Sequence, residues 1–346
     1  MDKNFIKGQG AQRNEHNRFD RFSWEPEDEE PESLKVTFTE VFPKTIVNAV
    51  NSPDMRMDYS LNPYQGCEHG CSYCFARPTH EFWGYSAGVD FERKIMVKKN
   101  APELLEKFFR KKGYMPKTIS LSGNTDCYQP AERKFEITRK LLQLCLDYRH
   151  PVSILTKNAL VLRDLDILKS LAEQDLVSVS FSIPTINEEI RRKMEPRTSS
   201  VNNKLKAIET LSQNGIPVGV MVAPVIPGLT SDESLPIVKA VADAGAKSFS
   251  YVIVRLNDTV EPVFVNWINA HFPDRAQKVL NLIRSMHGGN LGEKRFHERY
   301  KGEGNIAKLI RNTFALAERK YFADREMPVL NAENFTGTRA QQLRLF

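Results

Sequence analysis

From residue 58 onward the chain alternates short apolar runs with longer stretches whose apolar positions recur at helical spacing. The runs at 58–62, 118–122, 152–155, 177–183, 218–223 and 248–254 are mostly apolar rather than alternating, which predicts strands covered on both faces. Between them, 101–110, 133–148, 165–172, 201–214 and 233–244 predict amphipathic helices. In 133–148, for example, Phe135, Ile137, Leu141, Leu142, Cys145 and Leu146 fall on one face. Asn100 is the expected N-cap of the helix at 101–110, with Pro102 in the first turn and Glu103 three positions after the cap. Gly215 and Gly245 stand where glycines end helices. Strands separated by helices predict an α/β fold, a parallel sheet with right-handed crossovers. Periodicity alone leaves a doubly wound sheet and a (β/α) barrel, partial or complete, both open. In a barrel, chemistry belongs on the loops after the strands.

The two ends read differently. Residues 1–54 are predicted as an N-terminal arm, polar and partly without fixed structure, ahead of a core at 55–260. The arm holds an acidic run at 25–32 broken by Pro26 and Pro31, which repels itself. Phe19, Phe22 and Trp24 suggest that the arm docks on the body; a mobile tail is the alternative. After residue 257 the strand signal stops, and 263–271, 275–286 and 305–319 read as helices around a stretch with Gly288, Gly289 and Gly292. Residues 261–346 are therefore predicted as a helical C-terminal extension packed on the barrel.

Composition narrows the class. The chain has 346 residues, 41% of them hydrophobic and 27% charged, which is enough for a sizeable core. It has no apolar run long enough for a membrane helix and no apolar segment near Met1 that reads as a secretory signal, so a cytoplasmic location is expected. There are five cysteines, and three lie within eight residues, a pattern suited to metal binding rather than to disulfides. The net charge is +6, yet 25–32 carries six acidic residues, so the remainder is +12. Residues 274–326 hold twelve Lys and Arg against seven Asp and Glu. Such an excess either attracts a polyanion or is a solvated surface.

The chemistry lies in the segment Asn62-Pro63-Tyr64-Gln65-Gly66-Cys67-Glu68-His69-Gly70-Cys71-Ser72-Tyr73-Cys74, directly after the first predicted strand. Gly66 and Gly70 let the loop curl so that three thiolates can converge. Electron-transfer clusters ordinarily use four cysteines; three leave one iron of a [4Fe–4S] cube open to a small molecule. A zinc site needs four ligands, and only His69 could complete one here. The spacing C-x3-C-x2-C, with Tyr73 just before the last cysteine, resembles the radical S-adenosylmethionine (SAM) superfamily. The resemblance implies a partial (β/α)6 TIM-like barrel holding a [4Fe–4S] cluster on Cys67, Cys71 and Cys74. The open iron would bind SAM. One electron from the cluster, delivered by a flavodoxin- or ferredoxin-type donor, would cleave it to methionine and a 5′-deoxyadenosyl radical that abstracts a substrate hydrogen.

Further segments, spanning roughly 58–228, resemble the spore photoproduct lyase and DNA repair photolyase-like family, nearest its relatives of unassigned substrate. Leu121-Ser122-Gly123-Asn124-Thr125-Asp126 resembles the glycine-rich motif that holds the methionine amino group. The resemblance puts Lys157 of Leu155-Thr156-Lys157-Asn158 near the cofactor carboxylate and Ser182 of Phe181-Ser182-Ile183 on the ribose. It also puts Val225, at the end of the fifth predicted strand, against the adenine. Tyr73 joins this cofactor set, and Met194-Glu195-Pro196-Arg197-Thr198-Ser199 resembles a Glu-Pro element of the family. Asp126 and Glu195 are expected to orient loops or lie beside the cofactor rather than act in catalysis. A lyase-like activity on a nucleic acid is what the resemblance points to. Two departures weigh against the lyase's own substrate: Gly123 stands where the lyase has a hydrogen-donating cysteine, and Phe75 where it has a tyrosine. Cys127 is the alternative hydrogen donor, or else a buried thiol; Cys145 reads as core. The rival reading is a non-catalytic iron–sulfur protein that binds nucleic acid on the same scaffold.

Overall fold

The computed structural model describes residues 6, 8–19, 35–55 and 57–337. The acidic run at 25–32, with Phe22 and Trp24, lies outside the described residues. Among these, the strands are β1 (Thr37–Val41), β2 (Val47–Ala49), β3 (Tyr59–Leu61), β4 (Tyr64–Gln65), β5 (Lys94–Lys98), β6 (Ile119–Leu121), β7 (Val152–Thr156), β8 (Val177–Ser182), β9 (Val218–Val225) and β10 (Ser248–Ile253). One sheet has the order β10-β9-β8-β7-β6-β3-β2. In it β3, β6, β7, β8, β9 and β10 run parallel, and β2 joins β3 antiparallel. These parallel strands are the six predicted ones, each within two residues at either end. β10 and β2 form the two edges of the sheet. It is a partial barrel.

The helices of this part are α1 (Val89–Arg93), α2 (Ala101–Phe109), α3 (Glu132–Phe135), α4 (Ile137–Asp147), α5 (Leu165–Ala172), α6 (Glu188–Met194), α7 (Val201–Gln213) and α8 (Ser234–Asp243). The C-terminal helices are α9 (Val260–His271), α10 (Pro273–Met286) and α11 (Gly304–Tyr321). Val177, Val179 and Phe181 of β8 are fully buried, as a strand flanked on both faces requires. α11 packs on the β10 edge, where Tyr251 stacks on Phe314 with ring centroids 4.1 Å apart.

Two local expectations are corrected. The helix predicted at 133–148 is broken at Glu136, whose φ is 50°. The Glu132 carboxylate accepts the N–H groups of Thr138 at 3.1 Å and Arg139 at 3.4 Å, so it caps a new helix, α4, from outside. Asn100 does not cap α2 with its side chain; its amide donates instead to the Pro43 carbonyl at 3.1 Å. Gly215 and Gly245 do end their helices at positive φ.

A second, small sheet pairs β1 parallel and β4 antiparallel with β5. It anchors the entry to the cysteine loop, since β4 ends at Gln65. The opening of the barrel is bridged by the segment before α11. Ile253 N donates to Tyr300 O at 3.0 Å on the β10 side. On the other side, the Asp54 carboxylate takes His297 N at 2.7 Å and Arg299 Nε at 2.5 Å.

His150 shows how closely the core fixes a protonation state. Its Nδ1 faces the Pro151 carbonyl at 3.0 Å, so Nδ1 carries the proton, and Nε2 takes the Tyr114 hydroxyl at 2.8 Å. Phe109 stacks on the ring at 4.3 Å. Burial lowers its pKa to about 3. Below pH 6.5 the unfolded imidazole takes a proton that the folded one refuses, so stability should fall with pH from about 6.5 and level off near 3. Urea titrations across that range should show a shallower loss in His150→Gln than in the parent. An equal slope would contradict the assignment.

Candidate functional site

The cysteine loop is built at the C-terminal end of β3 and braced from several sides. Cys67 N donates to Phe91 O at 2.9 Å, and Glu68 N donates to the Gln129 side chain at 3.0 Å. Gln129 in turn donates to Gly66 O at 3.1 Å. Gly70 has a φ of 67°, and a Cβ there would sit 2.8 Å from Glu92 Oε2, so only glycine fits the turn. No disulfide ties up the three thiols. Cys67 and Cys71 are buried, Cys74 partly so. Burial and the nearby Glu195 push the Cys71 thiol up; burial and Cys67 raise Cys74 to about 11. A metal must displace those protons as it binds.

Beneath the loop lies a buried ion pair. Arg77 Nη2 meets Glu92 Oε1 at 2.5 Å, and neither side chain is exposed. The guanidinium also donates to Cys71 O at 2.8 and 3.1 Å and to the carbonyls of Ala87 and Gly88. Such a planar fork satisfies several acceptors at once. Sequence reasoning gave no sign of this pair, nor of Gln129 or Lys204.

A second charge cluster gathers the ends of later strands. Glu195, fully buried, meets Lys157 Nζ at 3.2 Å and Lys204 Nζ at 3.1 Å. It also accepts the Tyr73 hydroxyl and lies 4.0 Å from Cys71 Sγ. Burial alone would raise this carboxyl, but the two lysines and Tyr73 hold it at about 2. Lys157 donates to the Ser182 hydroxyl, which in turn donates a hydrogen bond to Ala223 O at 3.0 Å. So Tyr73 and Lys157 meet at Glu195 beside Cys71, and Lys157 links them to Ser182.

The loop after β6 contributes differently. Ser122 is left-handed, with φ 71°, a conformation that costs about 1–2 kcal/mol outside glycine. Its hydroxyl accepts Cys127 N at 2.8 Å. A Cβ at Gly123 would lie 2.8 Å from Ser60 Cβ, so a cysteine there would need Ser60 to move. Asn124 N donates to Asn62 at 2.8 Å, and its amide reaches Thr79 at 3.3 Å, tying this loop to the cysteine segment. Asp126 fastens three loops together. Its carboxylate takes Lys157 N at 2.7 Å and Thr156 Oγ1 at 2.9 Å, and stands 3.3 Å from His69 Nδ1. Nε2 of His69 lies 3.4 Å from the Asn158 amide. No three His, Cys, Asp or Glu side chains among the described residues gather about a point suited to a single ion.

Val225 ends β9, and its carbonyl is taken by Val254 N at 3.0 Å. Cys127 is set apart from the charge cluster. It is fully buried in the main core, and burial pushes its thiol well up. Cys127→Ala should therefore leave SAM cleavage within about threefold of the parent; a larger loss would place Cys127 at the cofactor site. Cys145 is a core residue.

The loops of a partial (β/α)6 barrel that carry C-x3-C-x2-C and these charged groups define a class, and the profile of the Radical SAM superfamily matches residues 61–241. The chain belongs to the radical SAM superfamily, whose cofactors are a [4Fe–4S] cluster and SAM. It is 34% identical over 257 residues to an uncharacterised protein of Mycobacterium tuberculosis, covering 73% of this chain and 76% of that one. An uncharacterised protein of Methanocaldococcus jannaschii is 27% identical over 247 residues, 71% of this chain and 88% of the other. Among solved structures, a spore photoproduct lyase mutant with bound AdoMet and dinucleoside spore photoproduct superposes with a TM-score of 0.61. That likeness, at 17% identity over 82% of this chain and 79% of the lyase, is one of fold. No described helix is long and apolar enough to cross a membrane.

Proposed function

We propose that Cys67, Cys71 and Cys74 hold the [4Fe–4S] cluster, leaving one iron for SAM, and that the enzyme takes a hydrogen atom from a nucleic-acid substrate. The observation that carries the reading is the meeting of Lys157, Tyr73 and Glu195 beside Cys71, with Ser182 on Lys157, at the strand C-terminal ends. The donor set fits the cluster: three thiols free of disulfides on one braced loop, with soft sulfur suited to iron. Reduced by a flavodoxin- or ferredoxin-type donor, the cluster and SAM together supply a 5′-deoxyadenosyl radical.

The chain's own residues do the holding. Lys157 offers a cation to the SAM carboxylate, and Glu195 keeps that cation in place and charged. Ser122, Gly123 and Asn124 provide a backbone and amide surface close enough for the methionine amino group. Ser182 and Val225 are assigned to the ribose and the adenine, as the family resemblance implies. Glu195, Asp126 and Arg77 act by positioning. Anaerobic reconstitution tests the assignment: about four irons per chain, and an electron paramagnetic resonance (EPR) signal that changes on adding SAM. A chain that binds no more iron than its Cys67→Ala variant would refute it.

The substrate class rests on other features. The bridging segment presents Lys294, Arg295 and His297 around Phe296, which is 52% exposed. An exposed ring among cations suits base stacking and phosphate contact. Lys294 already pairs with Asp258 and Arg295 with Glu293, so phosphates would exchange with carboxylates and the salt dependence should be shallow. The superposed lyase was solved with a dinucleoside. Binding of a short DNA strand should weaken as salt rises, and less so in Arg295→Ala. A flat response in the parent would argue for another substrate.

A further inference from the structure

The described part of the N-terminal arm is seated on the cysteine loop. Gly10 N and Ala11 N donate to the two oxygens of Glu92, at 3.1 and 2.8 Å. Glu92 is the buried partner of Arg77, which holds Cys71 O. A direct contact runs beside this relay: a Cβ on Gly10 would lie 1.9 Å from Gly70 O and 3.0 Å from Ser72 N. Both are backbone atoms of the cysteine loop, so the clash has no cheap relief. The docking continues outward. Arg13 O lies so near Gly88 that a Cβ there would sit 2.2 Å from it. Asn14 exchanges two bonds with Asp90, at 2.9 and 3.2 Å, and Glu15 two with Ser86, both at 2.7 Å. Asn17 donates to Glu81 O at 3.0 Å. Ala11 packs with Val89 and Val263. Gln9 is 3% exposed, yet neither atom of its amide meets a partner among the described residues; Ser72 Oγ, buried against the same contact, has none either. Buried polar atoms left so call for a partner outside the described residues.

We propose that residues 8–19 form a strap that holds the cysteine loop in its cluster-bearing shape and seals its outer side from solvent, with Gly10 as the positioning residue. The strap acts through two routes: backbone contact with Gly70, and two N–H donors that fix Glu92 against Arg77. This inference rests on the reading that Cys67, Cys71 and Cys74 carry the cluster.

Gly10→Val tests it in the reconstituted full-length enzyme, with His16→Ala as control, because His16 lies on the same strap with its side chain exposed. Trypsin cleavage after Arg13 and Arg18 reports docking, whether or not iron is bound. Bleaching of the cluster absorbance in air reports the seal, and the EPR line shape reports loop geometry. Gly10→Val should expose Arg13 and Arg18 to trypsin, bleach at least tenfold faster and shift the EPR signal, with far-UV circular dichroism unchanged. His16→Ala should match the parent in all three. If Gly10→Val does not fold, a chain lacking residues 1–19 should bleach as fast as predicted for it. Bleaching and EPR like the parent's in a variant whose arm is cut or gone would overturn the strap, as would an arm in Gly10→Val still protected from trypsin. A parent that takes up no iron would overturn the cluster assignment instead, and trypsin protection would still report the docking.

Discussion

Glu195→Gln should lose roughly 3–5 kcal/mol of folding stability, because it strips two buried lysines of their shared counter-charge. Lys204 is 1% exposed and Lys157 18%, so water cannot take the carboxylate's place. The glutamine keeps the shape and one acceptor for Tyr73, which isolates the charge as the cause. In a chain of this size the loss corresponds to a fall in melting temperature on the order of 10 °C. Lys204→Met alone should also destabilise. Combined with Glu195→Gln it should recover part of the loss, because one anion and one cation are then removed together. Additive losses in the double variant would mean that the two groups do not interact, against the 3.1 Å contact. Melting should be followed in the metal-free protein so that cluster loss does not enter.

Lys157→Met should weaken SAM binding roughly 30- to 150-fold while leaving iron content unchanged. The estimate follows from one charge-assisted bond worth about 2–3 kcal/mol. Lys157 is the cation whose ammonium meets both Ser182 and Glu195, and it lies 5.7 Å from the centre of the Tyr73 ring. Lys157→Arg should recover only part of the affinity, because a guanidinium is broader than the ammonium that this gap accepts. Equilibrium binding of SAM to the reconstituted cluster, followed by EPR, measures the change. Affinity within twofold of the parent would remove Lys157 from the cofactor site.

Much of this was legible in the chain. The six parallel strands are short and apolar and each is bounded by a helix with its own period, so local pattern and tertiary burial agree. C-x3-C-x2-C needs only local spacing to be seen. The small sheet was not legible. β1 is half exposed and β4 is two residues long, so neither shows a period. The supports of the site were hidden for another reason. Arg77 and Glu92 read as surface charges, the usual fate of those residues; only the fold buries them together, beneath the cysteine loop. Gln129 bonds Gly66 across 63 positions, and Gly10 meets Glu92 across 82, spans that a single sequence does not connect. Lys204 sits on α7 like any amphipathic lysine, yet it is buried against Glu195. Asp126 was expected to orient loops, and its carboxylate does so for two strand ends and His69.

Three cysteines on this loop are proposed to support reductive cleavage of SAM. The most direct test is formation of 5′-deoxyadenosine by the anaerobically reconstituted chain with dithionite and SAM, beside a Cys71→Ala control. The account predicts product that accumulates over time in the parent and is absent from the variant. Equal traces in both would contradict it.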